Sequence, residues 1–370
     1  MSRSGSLSRR SFVAASVAAS MIPRLARADD QPLPRDVPWL ADLQQPPSKI
    51  AENAPRLPSL LTGEDGHQIA TVAAWQEQRQ SLRNRWLEFL GPLARVKPQA
   101  PQLSVIERDE LGGVIRERVR YFVEDQEEVQ AYILRPRQID GRAPGVVVLH
   151  STVDHSIRQP AGVEGRPALA FGLSLAQQGC VTICPRNYLW PTNDKIAPLQ
   201  EANRFLKRQP ESKGMARMLY DAIAAVEILA SFEFVDMDRI GAVGHSLGAK
   251  EVLYLAAFDE RIKVTVSSEG GISTTFSNWD APWYLGKSIN EENFKLQHHQ
   301  LLGLIAPRPF LLVGGDSADG DMSWPFIQRA KPVYDLYGTP ARIGLFNHKQ
   351  GHSIPAIAAS RINDWLMTYL

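Results

Sequence analysis

The residues best suited to chemistry are Gly244-His245-Ser246-Leu247-Gly248, a G-x-S-x-G pentapeptide. Gly and Ser are common, so the pattern takes its weight from its flanks. An apolar strand ending at Val243 precedes it, and a helical stretch starting near Ala249 follows. A tight turn between strand and helix lifts the Ser246 hydroxyl off the sheet at a helix N-terminus. There the dipole and the Leu247 N–H can hold an oxyanion. A serine hydroxyl is a weak nucleophile until a base takes its proton, so other parts of the chain must bring a histidine and an acid. The plainer alternative is a Gly-flanked serine capping an ordinary helix.

From about residue 101 onward, strands alternate with helices. Val114 to Val123 and Val129 to Arg135 alternate apolar and polar residues around an acidic turn and predict an antiparallel hairpin. Gly145 to Leu149 and Cys180 to Cys184 have the apolar character of buried parallel strands. Further strands are expected at Arg239 to Val243, Val264 to Ser267, Phe310 to Val313 and Arg342 to Phe346. Helices are expected at Ala168 to Gln178, Gly214 to Phe232, Ala249 to Phe258, Pro325 to Tyr337 and Ala356 to Tyr369. This alternation predicts an α/β fold, a mostly parallel central sheet with helices on both faces. Cys180 and Cys184 would share a strand face about 13 Å apart, beyond the roughly 7 Å a disulfide allows, and read as buried free thiols. No cysteine spacing suits a metal.

The N-terminus carries Ser8-Arg9-Arg10-Ser11-Phe12-Val13, an apolar stretch from Ala14 to Ile22, and the small-residue site Ala26-Arg27-Ala28. It resembles a twin-arginine signal peptide over residues 1–28, which implies export and a periplasmic or secreted mature chain starting near Asp29. A disordered basic tail is the alternative. The apolar stretch is far short of the ~20 residues of a membrane span, so no stable membrane insertion is expected after cleavage. Residues 29–100 read as an arm followed by a helix from Val72 to about Leu93 that packs on the core, and residues 101–370 as the catalytic domain. With 41 basic against 40 acidic residues, nothing points to nucleic acid or an anionic surface as partner.

With these pieces assembled, residues from about 101 to 370 resemble the α/β-hydrolase superfamily, and within it bacterial esterases grouped with acetyl xylan esterases and dienelactone hydrolases. Leu149-His150-Ser151, Gln159-Pro160-Ala161-Gly162 and Ile305-Ala306-Pro307-Arg308-Pro309-Phe310 carry the likeness. The superfamily order of nucleophile, acid, histidine implies a base near the C-terminus. His352, between the last strand and the last helix, takes that place, with His348 as competitor. The same order points to Asp319, in the loop after Phe310 to Val313, as the acid that orients His352. Asp316 is an alternative, and Asp321 reads as a helix cap. The Leu247 N–H and that of Ser151 or Thr152 would form the oxyanion hole, with His150 as scaffold.

A second likeness, to glucuronoyl esterases, runs through Ala257-Phe258-Asp259-Glu260-Arg261-Ile262. It implies a glutamate acid after the strand that follows the nucleophile helix, a place held here by Glu269. Glu269 is therefore the main acid, a second acid or a pocket residue. Lys250 falls where those esterases carry a lysine, but Leu247 stands where they have arginine. Trp279 and Trp283, with Lys250 and Glu269, are substrate-binding candidates; the aromatics would stack on sugar rings or pack on one another as a lid. His298-His299 would be loop or substrate contacts.

Together these likenesses imply hydrolysis of a small-molecule or carbohydrate ester, acetylated or uronoyl-esterified, through an acyl-enzyme and without metal or cofactor. Two rivals remain. A prolyl-oligopeptidase-type peptidase usually carries a propeller, for which about 70 mature residues before the core are too few. A non-catalytic α/β-hydrolase-fold binding protein would not need Ser246, His352 and a nearby acid intact.

Overall fold

Nine strands form one sheet, in the order β1-β2-β3-β5-β4-β6-β7-β8-β9. They are β1 (Ser104–Leu111), β2 (Val114–Phe122), β3 (Glu128–Pro136), β4 (Ala143–Leu149), β5 (Val181–Pro185), β6 (Val235–His245), β7 (Ile262–Ser268), β8 (Phe310–Gly314) and β9 (Ile343–Asn347). The computed structural model describes residues 36–370 except 51, 64 and 192–194. The signal expected over residues 1–28 and the first residues of the arm lie outside the described residues.

β1, β2 and β3 run antiparallel as a meander, and β3 pairs antiparallel with β5. From β5 through β9 all neighbours are parallel. The sheet is mostly parallel, as expected. The chain leaves β4 for β5 on one side and returns to β6 on the other. That reversal opens a crevice at the carboxyl ends of β4 and β6, where open α/β sheets bind ligands.

The helices are α1 (Val72–Leu90), α2 (Phe171–Gln177), α3 (Pro198–Arg208), α4 (Gly214–Ala230), α5 (Leu247–Phe258), α6 (His298–Ile305), α7 (Trp324–Asp335) and α8 (Ala356–Tyr369). Strand periodicity sends Val147 and Leu149 into one core, with α1, α4, α5 and α6, and Val146 and Val148 into a second, with α2 and α8. Every residue of α5 is buried, so this helix is a fixed base for whatever its N-terminus presents. α1 starts at a Thr71 cap, whose hydroxyl accepts from Ala74 N–H at 3.2 Å, and ends at Gly91 with φ 92°. Trp86 of α1 donates its Nε1–H to Gln300 of α6 at 3.1 Å. Leu43 of the arm is buried against Gly344 of β9. Both cysteines are free and buried.

Three elements were not anticipated: β1, α3 and α6. All of β1 is exposed, so it carries no apolar alternation to read. α6 buries both His298 and His299, so neither stands in a loop. No helix among the described residues is long and apolar enough to cross a membrane.

Candidate active site

Ser246 stands between the end of β6 and the start of α5 with φ 59° and ψ −114°, a strained conformation for a residue with a Cβ. Its N–H is tied to the Ser268 carbonyl at the end of β7 (2.8 Å). The flanking glycines follow from packing. A Cβ on Gly244 would strike the backbone of Gly248, and one on Gly248 would strike the Leu149 carbonyl of β4. Leu247 is the first residue of α5, so its N–H has no intrahelical acceptor.

Across the crevice, the N–H groups of Ser151 and Thr152 donate to no backbone carbonyl among the described residues. His150 holds this loop. Its Nε2 accepts from the Asn187 N–H (3.1 Å), so Nδ1 carries the hydrogen and donates to the Ser151 carbonyl (2.8 Å). Burial pushes His150 down to about 4, consistent with a neutral scaffold residue.

The structure pairs His352 with Glu269, at 3.0 Å from Nδ1 to Oε2. Glu269 follows β7 at φ 56° and is fully buried. Its carboxylate also accepts from the N–H groups of Gly315, Ala318 (2.9 Å) and Asp319 (3.4 Å). Burial by itself would raise this carboxyl, but the His352 hydrogen bond and the Ala318 and Gly315 N–H groups prevail and hold it below its ordinary value. An ionised carboxylate only accepts, so Nδ1 of His352 carries the hydrogen and Nε2 is left free to take a proton.

Asp319, the acid favoured from sequence, does not meet His352. Its buried carboxylate accepts from the N–H groups of Gly271 (2.7 Å) and Ile272 (2.8 Å) and from the Ser323 hydroxyl (2.8 Å). These bonds anchor the loop that carries Glu269. Asp316 bonds to Asn347 (2.6 Å), and Asp321 to Asn347 (2.8 Å) and Lys349 (2.9 Å), whereas His352 bonds to Glu269. His348 uses its Nδ1 to accept from the Gln350 N–H (3.1 Å).

A cavity of about 140 Å³ joins Ser246, Leu247, Thr152, Glu269 and His352 to Lys250, Trp283 and Tyr284. Lys250 is 4% exposed and its Nζ has no hydrogen-bond partner among the described residues. The ammonium lies 4.1 Å from the Trp279 ring centre and 5.0 Å from that of Tyr284. Burial pushes it down to about 7 despite the pull of Asp319. Trp279 itself is buried and donates to the Gly271 carbonyl (2.6 Å), so it backs the lysine and offers no open face for stacking; Trp283 does line the cavity. His298, buried nearby, spends its ring nitrogens on the Ile272 carbonyl (2.7 Å) and the Tyr254 hydroxyl (2.9 Å).

A second cavity, of about 340 Å³, shares Ser246, His352 and Thr152 but runs toward His155, Gln159 and Arg166. These three were not read as site residues. His245 lies between, its ring 4.7 Å from that of His352. A roomier cleft of about 530 Å³ lies between Gln126–Val129 and α3. Among its arginines, Arg204 and Arg217 are engaged by Glu127, Glu201, Glu124 and Asp221, and no serine, cysteine or histidine among the described residues lines it.

The fold is matched by known proteins. A glucuronoyl esterase from Solibacter usitatus superposes with a TM-score of 0.66 at 16% identity, covering 86% of this chain and 100% of that one. The chain has the α/β-hydrolase fold. The dienelactone hydrolase family model matches residues 129–282 of the chain. It is 27% identical over 252 residues to YtaP of Bacillus subtilis (strain 168), named as a hydrolase, covering 64% of this chain and 80% of that one. It is 28% identical over 144 residues to the 4-O-methyl-glucuronoyl methylesterase of Phanerochaete carnosa, covering 30% of this chain and 34% of that one.

Proposed function

We propose that this α/β-hydrolase is a serine carboxylic-ester hydrolase acting on carbohydrate esters, with Ser246 as nucleophile, His352 as base and Glu269 as acid. The observation that carries the reading is the Glu269–His352 hydrogen bond of 3.0 Å on a wall shared with Ser246. Ser246 Oγ bonds to the ester carbonyl carbon as its proton passes to His352 Nε2. The N–H groups of Leu247 and of Ser151 or Thr152 hold the oxyanion. The bond to the alcohol breaks, and the alcohol leaves with the proton from His352. Water then attacks the acyl-enzyme, giving its proton to His352 and from there to Ser246, and the acid departs.

The unpartnered Lys250 ammonium favours an oxygen-rich acyl group, such as a uronoyl group, over acetyl. The names of the methylesterase and glucuronoyl esterase relatives support the same choice. Acetylated xylan is the second reading, supported by an acetyl xylan esterase from Bacteroides fragilis among the structural neighbours. We propose in addition that the protein works outside the cytoplasm, exported by the Arg9-Arg10 signal.

Labelling with a fluorophosphonate, compared with Ser246→Ala, tests for an activated serine; no labelling would leave a binding protein. Hydrolysis of methyl glucuronate, acetylated xylan, aryl esters and peptides then sorts the enzymes. Faster turnover of the uronate ester is expected, and peptide cleavage alone would overturn the esterase reading.

A further inference from the structure

An ester has two sides, and the Lys250 cavity provides for one. We propose that the second cavity receives the leaving alcohol, and that Gln159 and Arg166 select alcohols carrying both hydrogen-bonding groups and a negative charge. The inference rests on the catalytic reading of Ser246 and His352 above.

The leaving alcohol must lie beside the histidine that protonates it, and His352 lines both cavities. With the acyl group beside Lys250, the space toward Gln159 is what remains. Gln159 is 3% exposed and lines this cavity. An amide lining the cavity can donate to or accept from a bound hydroxyl or carboxylate. The Nε2 of His155 has no hydrogen-bond partner among the described residues. Gly165, at φ 96°, lets that ring lie against the chain, since a Cβ there would meet Nε2 at 2.5 Å.

Charge points the same way. Arg158 of the same loop is paired with Glu164 at 2.7 Å, whereas Arg166 has no ion-pair partner among the described residues. None of the described residues lining this cavity is a carboxylate. The Arg166 charge also contributes to keeping His245 neutral, though burial is the larger cause. An anionic alcohol would therefore meet one uncompensated cation and no opposing charge.

The test uses two esters with the same acyl group, 3-acetoxybenzoate and the neutral 3-acetoxybenzamide, and reads the ratio of their kcat/KM values. The wild-type enzyme should prefer the anion by roughly fivefold, the upper range for a solvent-exposed ion pair, and added salt should shrink the preference. Arg166→Gln should abolish the preference while leaving the neutral ester unaffected, and Gln159→Met should slow both. Arg166 is exposed, so its variant is expected to fold, and thermal unfolding of both variants checks this. A protein that reacts with a fluorophosphonate but shows no anion preference, or keeps it in Arg166→Gln, overturns the alcohol pocket alone. A folded protein that neither reacts with the probe nor turns over either ester overturns the catalytic reading and this inference together.

Discussion

Glu269 and His352 stand 83 positions apart in the chain and meet at 3.0 Å, while Asp319 supports the Glu269 loop from below through Gly271 and Ile272. The two carboxylates should therefore fail in different ways. Glu269→Gln is expected to lower kcat roughly 10⁴-fold, as the equivalent change does in trypsin, with little loss of stability. Asp319→Asn should instead cost about 1–3 kcal/mol of stability, because a buried N–H loses its acceptor, and should reduce kcat less. Steady-state kinetics and thermal unfolding of both variants separate these outcomes; a larger kcat loss in Asp319→Asn would reverse the assignment.

Ser246 combines reactivity with backbone strain. Ser246→Ala should abolish turnover and leave the fold intact. Ser246→Gly should be equally inactive but more stable than the alanine variant by about 1 kcal/mol, because glycine tolerates φ 59°. Denaturant unfolding of the pair measures the difference, and equal stabilities would show that the turn is not strained.

Lys250 makes a prediction in pH. Burial pushes the ammonium down to about 7 from an ordinary value of 10.5. Between those values the unfolded chain binds more protons than the folded one, so stability should rise with pH through that window. Lys250→Met should accordingly stabilise the protein most below pH 7, and the gain should shrink as pH rises. Melting temperatures of both proteins from pH 6 to 10 provide the check. For a uronate ester, KM should rise above pH 7 in the wild type and be flat in the variant.

The proposed export signal makes a prediction of its own. Replacing Arg9 and Arg10 by lysine should leave the precursor in the cytoplasm, whereas the wild-type chain should be recovered outside it with an N-terminus near Asp29. N-terminal sequencing of the mature protein reads this directly, and unchanged export of the double variant would refute it.

The turn at Ser246 was legible because its requirements are local. Two glycines at fixed offsets, a strand before and a helix after leave few other readings. The acid was not legible to the same degree. Which carboxylate reaches His352 depends on the positive φ of Glu269 and on N–H groups delivered by the loop of Gly315 and Ala318, none of which spacing reveals. Trp279 had the composition of a sugar platform, but its indole N–H is held by Gly271 and its ring lies under Lys250. Gln159 was visible as part of a motif. Its place in the wall of a cavity shared with Ser246 and His352 emerges only when its neighbours in space are known.

The hydrogen bonds that bind the Asp319 loop to the Glu269 loop also bear on how such enzymes diverge. The Asp319 N–H donates to Glu269 while the Asp319 carboxylate holds the chain just beyond it. Two strand ends thus keep a carboxylate within one shared loop pair, one orienting the histidine and one as buttress. A lineage could exchange those duties by shifting a few backbone dihedrals, and no ancestor along that route would need to lack a carboxylate near its catalytic histidine.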